Sequence, residues 1–167
     1  WKRRGAHVTA VDSARYAAVL ADCFIAGDAS EVDGAGVEGF LCHLDGLPGV
    51  DGYVTETFSR RARYFQEPNA RRIDAVRDAI EALGPDHPWR SILLTSLLLA
   101  ADRVDSTTGV QMAYLKAWAP RSFAPLALRP PALLAGRGRT VVGDAVEVAG
   151  SLGEAGIASR DPPYNRH

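Results

Sequence analysis

The amino-acid sequence predicts an α/β fold on three observations. A β-branched stretch closing on Asp12 runs directly into an amphipathic helical pattern, which is how an α/β unit begins. A second such stretch, Thr140-Val141-Val142, leads to Gly143-Asp144, and helical periodicity fills much of the chain between the two. Two strand ends that each carry an aspartate suit a doubly wound sheet, where ligands bind beyond the carboxyl ends of the strands.

In chain order, Ala6 to Asp12 read as the first strand, and Ser13 is the expected cap of a helix from Ala14 to about Ala26. Tyr16, Val19, Leu20, Cys23 and Phe24 recur on one face of that helix. Asp28 to Gly52, rich in Gly and Asp with a Leu-Pro-Gly turn at 47–49, predicts a loop. Three helices are expected next. The first starts near Pro68-Asn69, stripes Ile73, Val76, Ile80 and Leu83 along one side, and ends at Gly84-Pro85. The second, Pro88 to Val104, is apolar nearly all round, as expected of a helix at the domain centre. The third, Val110 to Trp118, is short. Pro120, Pro125, Pro130 and Pro131 then favour an extended, surface-tracking segment from Ala119 to Pro131. After the Thr140-Val142 strand, Gly150 to Gly156 forms a turn-rich link to Ile157-Ala158-Ser159.

With 167 residues, 47% of them hydrophobic, the chain can bury one sizeable core. The net charge of −1 creates no global field for a polyanion, so a nucleic-acid partner must meet a local patch. Charge is unevenly spread. From Val8 to Glu56 nine acidic residues face Arg15 alone, whereas from Thr57 to Arg139 thirteen Lys or Arg face seven Asp or Glu. If DNA is touched, the second region touches it, and Lys116 and Arg121 are candidate phosphate contacts there.

Cys23 and Cys42 lie in unlike contexts without a disulfide framework, so both are read as reduced thiols of a cytoplasmic protein. His43 follows Cys42, but no second pair of ligand types stands close by, and no metal is predicted. The longest apolar run, Ile92 to Ala101, is too short for a membrane span, and no signal peptide is read at the start. With Trp1 first and a dense motif last, both ends read as cut, so the chain is expected to be an internal fragment, inactive alone.

That last motif is Asp161-Pro162-Pro163-Tyr164. The exocyclic amino group of adenine is a poor nucleophile and has to be held against a methyl donor. A carboxylate (Asp161) and a backbone carbonyl (Pro162) are pure acceptors that can take both amino hydrogens. Pro162 and Pro163 fix φ and remove competing donors, and Tyr164 offers a face on which an extruded base can stack. Methyl transfer is then direct, with no covalent role for either cysteine.

This motif resembles the signature of the adenine-specific DNA amino methyltransferases. The likeness extends to Tyr64-Phe65-Gln66-Glu67-Pro68-Asn69-Ala70-Arg71-Arg72-Ile73-Asp74, Ala101-Asp102-Arg103-Val104, Thr107-Thr108-Gly109-Val110, Tyr114-Leu115-Lys116 and Leu126-Ala127-Leu128-Arg129-Pro130-Pro131. It covers most of Ala6 to His167 and leaves Asp28 to Gly52 without strong support. The resemblance implies an incomplete Rossmann-like S-adenosylmethionine-dependent methyltransferase fold with a helical insertion. Its parts would be a strand-helix unit of the cofactor site at 6–27, a mainly helical, basic insertion at 53–135, and strands with cofactor and catalytic motifs at 140–167. It implies a catalytic role for Asp161, Pro162, Pro163 and Tyr164.

Asp12, followed by Ser13, matches the family's ribose-binding acidic position, although a carboxylate at a helix N-terminus accounts for it equally well. Asp144, followed by Ala145, matches the position that accepts from the cofactor's adenine amino group, and a turn aspartate is the alternative. The implied cofactor is S-adenosyl-L-methionine. The implied partner is duplex DNA with a flipped adenine, with a cognate restriction endonuclease as a possible companion and the oligomeric state open. Two departures stand out. The family's Phe-x-Gly-x-Gly loop would fall before Trp1, and polar Ser159-Arg160 stands where an apolar strand is usual. Methylation of RNA or of a protein amide, and a non-catalytic nucleic-acid-binding remnant, are the alternative functions.

Overall fold

The structure, a computed structural model, describes residues 1–109 and 115–159. The four motif residues Asp161, Pro162, Pro163 and Tyr164 therefore lie outside the described residues, as do Val110–Tyr114 of the expected third helix.

Two strands, β1 (Thr9–Asp12) and β2 (Arg139–Val142), pair in parallel with Thr9 opposite Arg139 and Asp12 opposite Val142. A parallel pair needs a crossover, and here it is the whole helical stretch between them. The expected α/β character is present. Gly138 lets the second strand begin, because a Cβ there would lie 2.6 Å from the carbonyl oxygens of both Val8 and Ile25.

After β1 comes α1 (Arg15–Ala21), which continues as a π-helical turn over Asp22–Ala26. Ser13 is not its cap. Ala14 holds the N-cap position, and the Asp12 carboxylate takes the Ala14 N–H at 2.8 Å, because an aspartate side chain reaches the amide two residues on. At the other end, the buried Lys2 ammonium donates to the carbonyls of Phe24 (3.2 Å) and Gly27, a cation placed where the helix leaves acceptors unpaired.

The loop expected over Asp28 to Gly52 instead contains α2 (Gly34–Asp45). Asp33 caps it by accepting the Gly36 N–H at 3.0 Å, and Val37, Leu41 and Leu44 form a buried stripe along it. Gly36 is required by packing, since a Cβ there would sit 2.7 Å from the Trp89 ring.

A π-helical turn over Thr55–Arg61 follows, then α3 (Glu67–Glu81) and α4 (Arg90–Val104), both close to expectation. The core lies among these helices. Leu44, Val76, Ile80 and Leu93 are wholly buried there, each contributing about 1.5–3 kcal/mol over its exposed state. Cys23 belongs to the same cluster, so the first strand-helix unit and the helical region share one core. Helix α4 is not buried all round, because Leu98 and Leu99 are 39% and 38% exposed.

Leu115–Trp118, the described part of the third expected helix, is not helical. The proline-rich stretch is extended after a 3-10 turn at Pro120–Phe123, yet it does not simply track the surface: Leu126, Leu128 and Pro131 are buried. Proline removes donors but leaves apolar side chains between the prolines free to dock. After β2, Asp144 caps the short α5 (Ala145–Ala149). Among the described residues no helix is long and apolar enough to cross a membrane.

Candidate functional site at the strand ends

Both strands finish with the same local arrangement. Asp12 closes β1 and accepts the Ala14 N–H through Oδ1; Asp144 follows β2 and accepts the Val146 N–H through Oδ1 at 2.7 Å. The Gly143 N–H donates to the Asp12 carbonyl oxygen at 3.0 Å, extending the parallel ladder by one bond and bringing the residue before Asp144 against the end of β1. The two aspartates and the residues behind them, Ser13 and Ala145, thus stand at one edge of the sheet, all four exposed. Among the described residues, Oδ2 of Asp12 and of Asp144 has no partner. Such an oxygen is a ready acceptor for a hydroxyl or an amino group.

The strands are thinly covered, with no buried residue in either, and Val142 and Val146 are strongly exposed beside the two aspartates.

In the helical region the structure uses its polar residues in ways the sequence did not disclose. Asn69 is buried and binds the proline-rich segment on both sides: its amide donates to the carbonyls of Ser122 (3.2 Å) and Ala124 (2.8 Å), and its carbonyl accepts the Leu126 N–H at 2.9 Å. Asp74, 2% exposed, accepts from the N–H groups of Val54 (2.9 Å) and Thr55 (2.8 Å) and from the Thr55 hydroxyl (2.7 Å). Asp45 binds Arg72 at 2.9 Å and also accepts the Leu128 N–H at 3.2 Å. A signal for Asn69 did exist: it falls on the same stripe as Ile73, Val76 and Ile80, where an unpaired amide is costly.

The two candidate phosphate contacts differ. Lys116 is exposed and pairs with no acid among the described residues. The Arg121 guanidinium is taken up by Asp105 and by the carbonyl of Thr107. Two residues on from Lys116 in the chain, Trp118 has the Arg63 guanidinium 5.0 Å from its ring centre.

Comparison with known sequences extends over this whole arrangement. The profile of the D12 class N6 adenine-specific DNA methyltransferase family matches residues 2–167. The chain belongs to that family. The D12-class assignment takes in both strand-end aspartates and the Asp161–Tyr164 motif in a single match. The chain is 38% identical over 122 residues to the type II methyltransferase M.CviAII of Paramecium bursaria Chlorella virus 1, covering 70% of this chain and 36% of that protein. It is 32% identical over 168 residues to the type II methyltransferase M.NlaIII of Neisseria lactamica, covering 95% of this chain and 49% of that one. To the modification methylase StsI of Streptococcus sanguinis it is 30% identical over 143 residues, 78% of this chain and 22% of the relative. This D12-class chain therefore spans half or less of the length of these relatives. No solved structure gives a significant match.

Proposed function

We propose that the protein carrying this chain transfers the methyl group of S-adenosylmethionine to the exocyclic amino group of adenine at specific sites in duplex DNA. The observation that supports this most is the register of β1 and β2. It sets Asp12 and Asp144, whose Oδ2 atoms have no partner among the described residues, at neighbouring strand ends, where doubly wound, Rossmann-like sheets take nucleoside ligands. The donor set fits the cofactor, since an adenosine offers ribose hydroxyls and an adenine amino group, all donors, and two carboxylate oxygens accept them. When bound, S-adenosylmethionine supplies an electrophilic methyl on sulfur.

In this reading Asp12 holds the ribose, with Ser13 beside it, and Asp144 holds the adenine, with Ala145 opening the helix behind it. Asp161 and the Pro162 carbonyl accept the two hydrogens of the target amino group and turn its lone pair toward the methyl. Pro163 stiffens the loop, and Tyr164 stacks on the flipped base. The mainly helical, basic region 53–135 faces the DNA. The names of the relatives, two type II methyltransferases and a modification methylase, support pairing with a cognate restriction endonuclease.

The test is to incubate the complete protein with labelled S-adenosylmethionine and duplex DNA, and in parallel with RNA, then digest to nucleosides. N6-methyladenine in the DNA is the expected product. Label in RNA or in protein alone, with none in DNA, overturns the reading.

A further inference from the structure

Two short segments, Asp105–Thr107 after α4 and Ala119–Arg121 before the proline-rich stretch, are stapled together. Arg121 reaches back to Asp105, donating from Nε to its backbone carbonyl at 2.9 Å and from its terminal nitrogen to its carboxylate, and the same nitrogen meets the Thr107 carbonyl at 3.1 Å. Thr107 donates to the other oxygen of that carboxylate at 2.6 Å, and the Ala119 N–H donates to the Ser106 hydroxyl at 2.9 Å. The first segment is docked on the helical body by the Ser106 N–H, which donates to the Tyr64 carbonyl at 2.7 Å. The second runs into the stretch that Asn69 holds.

Two features lie beside this staple in the chain. Lys116 is exposed, and Trp118 carries the Arg63 guanidinium over its ring. An ammonium with no acidic partner among the described residues, two positions along the chain from a tryptophan that carries an arginine over its ring, suits phosphate and base together. Arg121 itself turns its Nε and one terminal nitrogen inward to Asp105 and Thr107.

We propose that Arg121 is a positioning residue for DNA binding: clamped on Asp105, it holds Lys116 and the Arg63–Trp118 pair as one DNA-facing surface. This rests on the functional reading above. The pair is half exposed on the arginine side, and such ion pairs add little to global stability, so its effect is on local geometry. A planar fork serving three acceptors fixes direction in a way that a lysine cannot copy.

The experiment uses the complete protein and a labelled mixed-sequence duplex, with affinity measured across a salt series, alongside S-adenosylmethionine binding and thermal melting. Arg121→Ala is expected to weaken duplex binding about tenfold, and when added to Lys116→Ala to reduce the slope of log affinity against log salt no further, because Arg121 itself touches no phosphate. Lys116→Ala is expected to reduce that slope by about 0.9. Exchanging the charges, Asp105→Arg with Arg121→Asp, should recover part of the loss, and cofactor affinity should stay at the wild-type value throughout.

Duplex affinity unchanged in Arg121→Ala overturns the inference. So does a slope reduced by about 0.9 more when Arg121→Ala is added to Lys116→Ala, which makes Arg121 a direct phosphate contact. Parallel loss of cofactor binding and melting temperature overturns it too, by making the clamp a general structural prop. All three outcomes leave the functional reading standing. A wild-type protein that binds no duplex overturns that reading, and this inference with it.

Discussion

The Gly143 N–H donates to the Asp12 carbonyl oxygen at 3.0 Å, and this one bond ties the two halves of the candidate cofactor site together. Beyond it, Asp144 caps α5 through Oδ1, and under the proposed function its Oδ2 also receives the cofactor. The two roles can be separated. Asp144→Ala should lose both, costing about 1 kcal/mol of stability and weakening S-adenosylmethionine binding. Asp144→Ser keeps a capping oxygen on a shorter side chain, so stability should stay near wild type while cofactor affinity falls. Denaturant unfolding beside calorimetric cofactor binding measures the two. Equal cofactor affinity in all three proteins removes Asp144 from the site.

Asp161→Ala in the complete protein should slow methyl transfer far more than it weakens cofactor binding, since in the proposed mechanism the carboxylate acts on the target amino group. Loss of one charge-assisted acceptor corresponds to about 1.5–3 kcal/mol, roughly ten- to a hundredfold, with misplacement of the nucleophile adding to it. Single-turnover methylation compared with equilibrium cofactor binding is the measurement. A wild-type rate would make the motif only a turn.

Asn69→Ala should leave the buried Leu126 N–H without its acceptor and two carbonyls without donors. An unsatisfied buried group costs about 1–3 kcal/mol, so a loss of at least about 2 kcal/mol is expected in urea unfolding. Asn69→Asp, nearly the same shape, should be no better, because a carboxylate cannot donate to Ser122 or Ala124. A fully stable aspartate variant contradicts the assigned bonds.

Gly138→Ala places a methyl 2.6 Å from two backbone oxygens, which cannot swing aside as a flexible side chain can. Overpacking of this kind costs about 1–3 kcal/mol. It should also shift β2 relative to β1 and so weaken cofactor binding, although Gly138 stands at the far end of the strand from Asp144. Gly143→Ala is the control, since its methyl would meet only the end of the Val148 side chain.

The two cysteines should be told apart by alkylation. Cys42 is exposed and should label quickly in the native protein. Cys23 is 1% exposed, and burial pushes its thiol above the usual range, with the Thr95 hydroxyl and the Lys2 charge pulling back only in part. A raised folded value favours the neutral thiol. The stability this contributes is full below the unfolded thiol value of about 8.5 and is lost as pH rises through the raised folded value. Cys23 should therefore label only on unfolding, detected by peptide mapping, and a Cys23→Ala variant should lose part of the alkaline fall in stability.

What the sequence by itself determined is what depends on neighbours along the chain. The strand closing on Asp12, the helices near 67–81 and 90–104 and the strand at Thr140–Val142 were legible because period and caps are local signals, and the family was legible because the Asp161–Tyr164 motif occupies four consecutive residues. Helix α2 was hidden by its glycines, though Val37, Leu41 and Leu44 already carried its stripe; the reason for Gly36 is the Trp89 ring, which arrives from elsewhere in the chain. Only the tertiary structure decided that Thr9 pairs with Arg139, that Asn69 holds the proline-rich segment, and that the arginine at 121 turns inward to Asp105. These are contacts between distant residues, and they form because closing the intervening chain is offset by burial and by satisfied backbone groups, a balance that no local window of sequence contains.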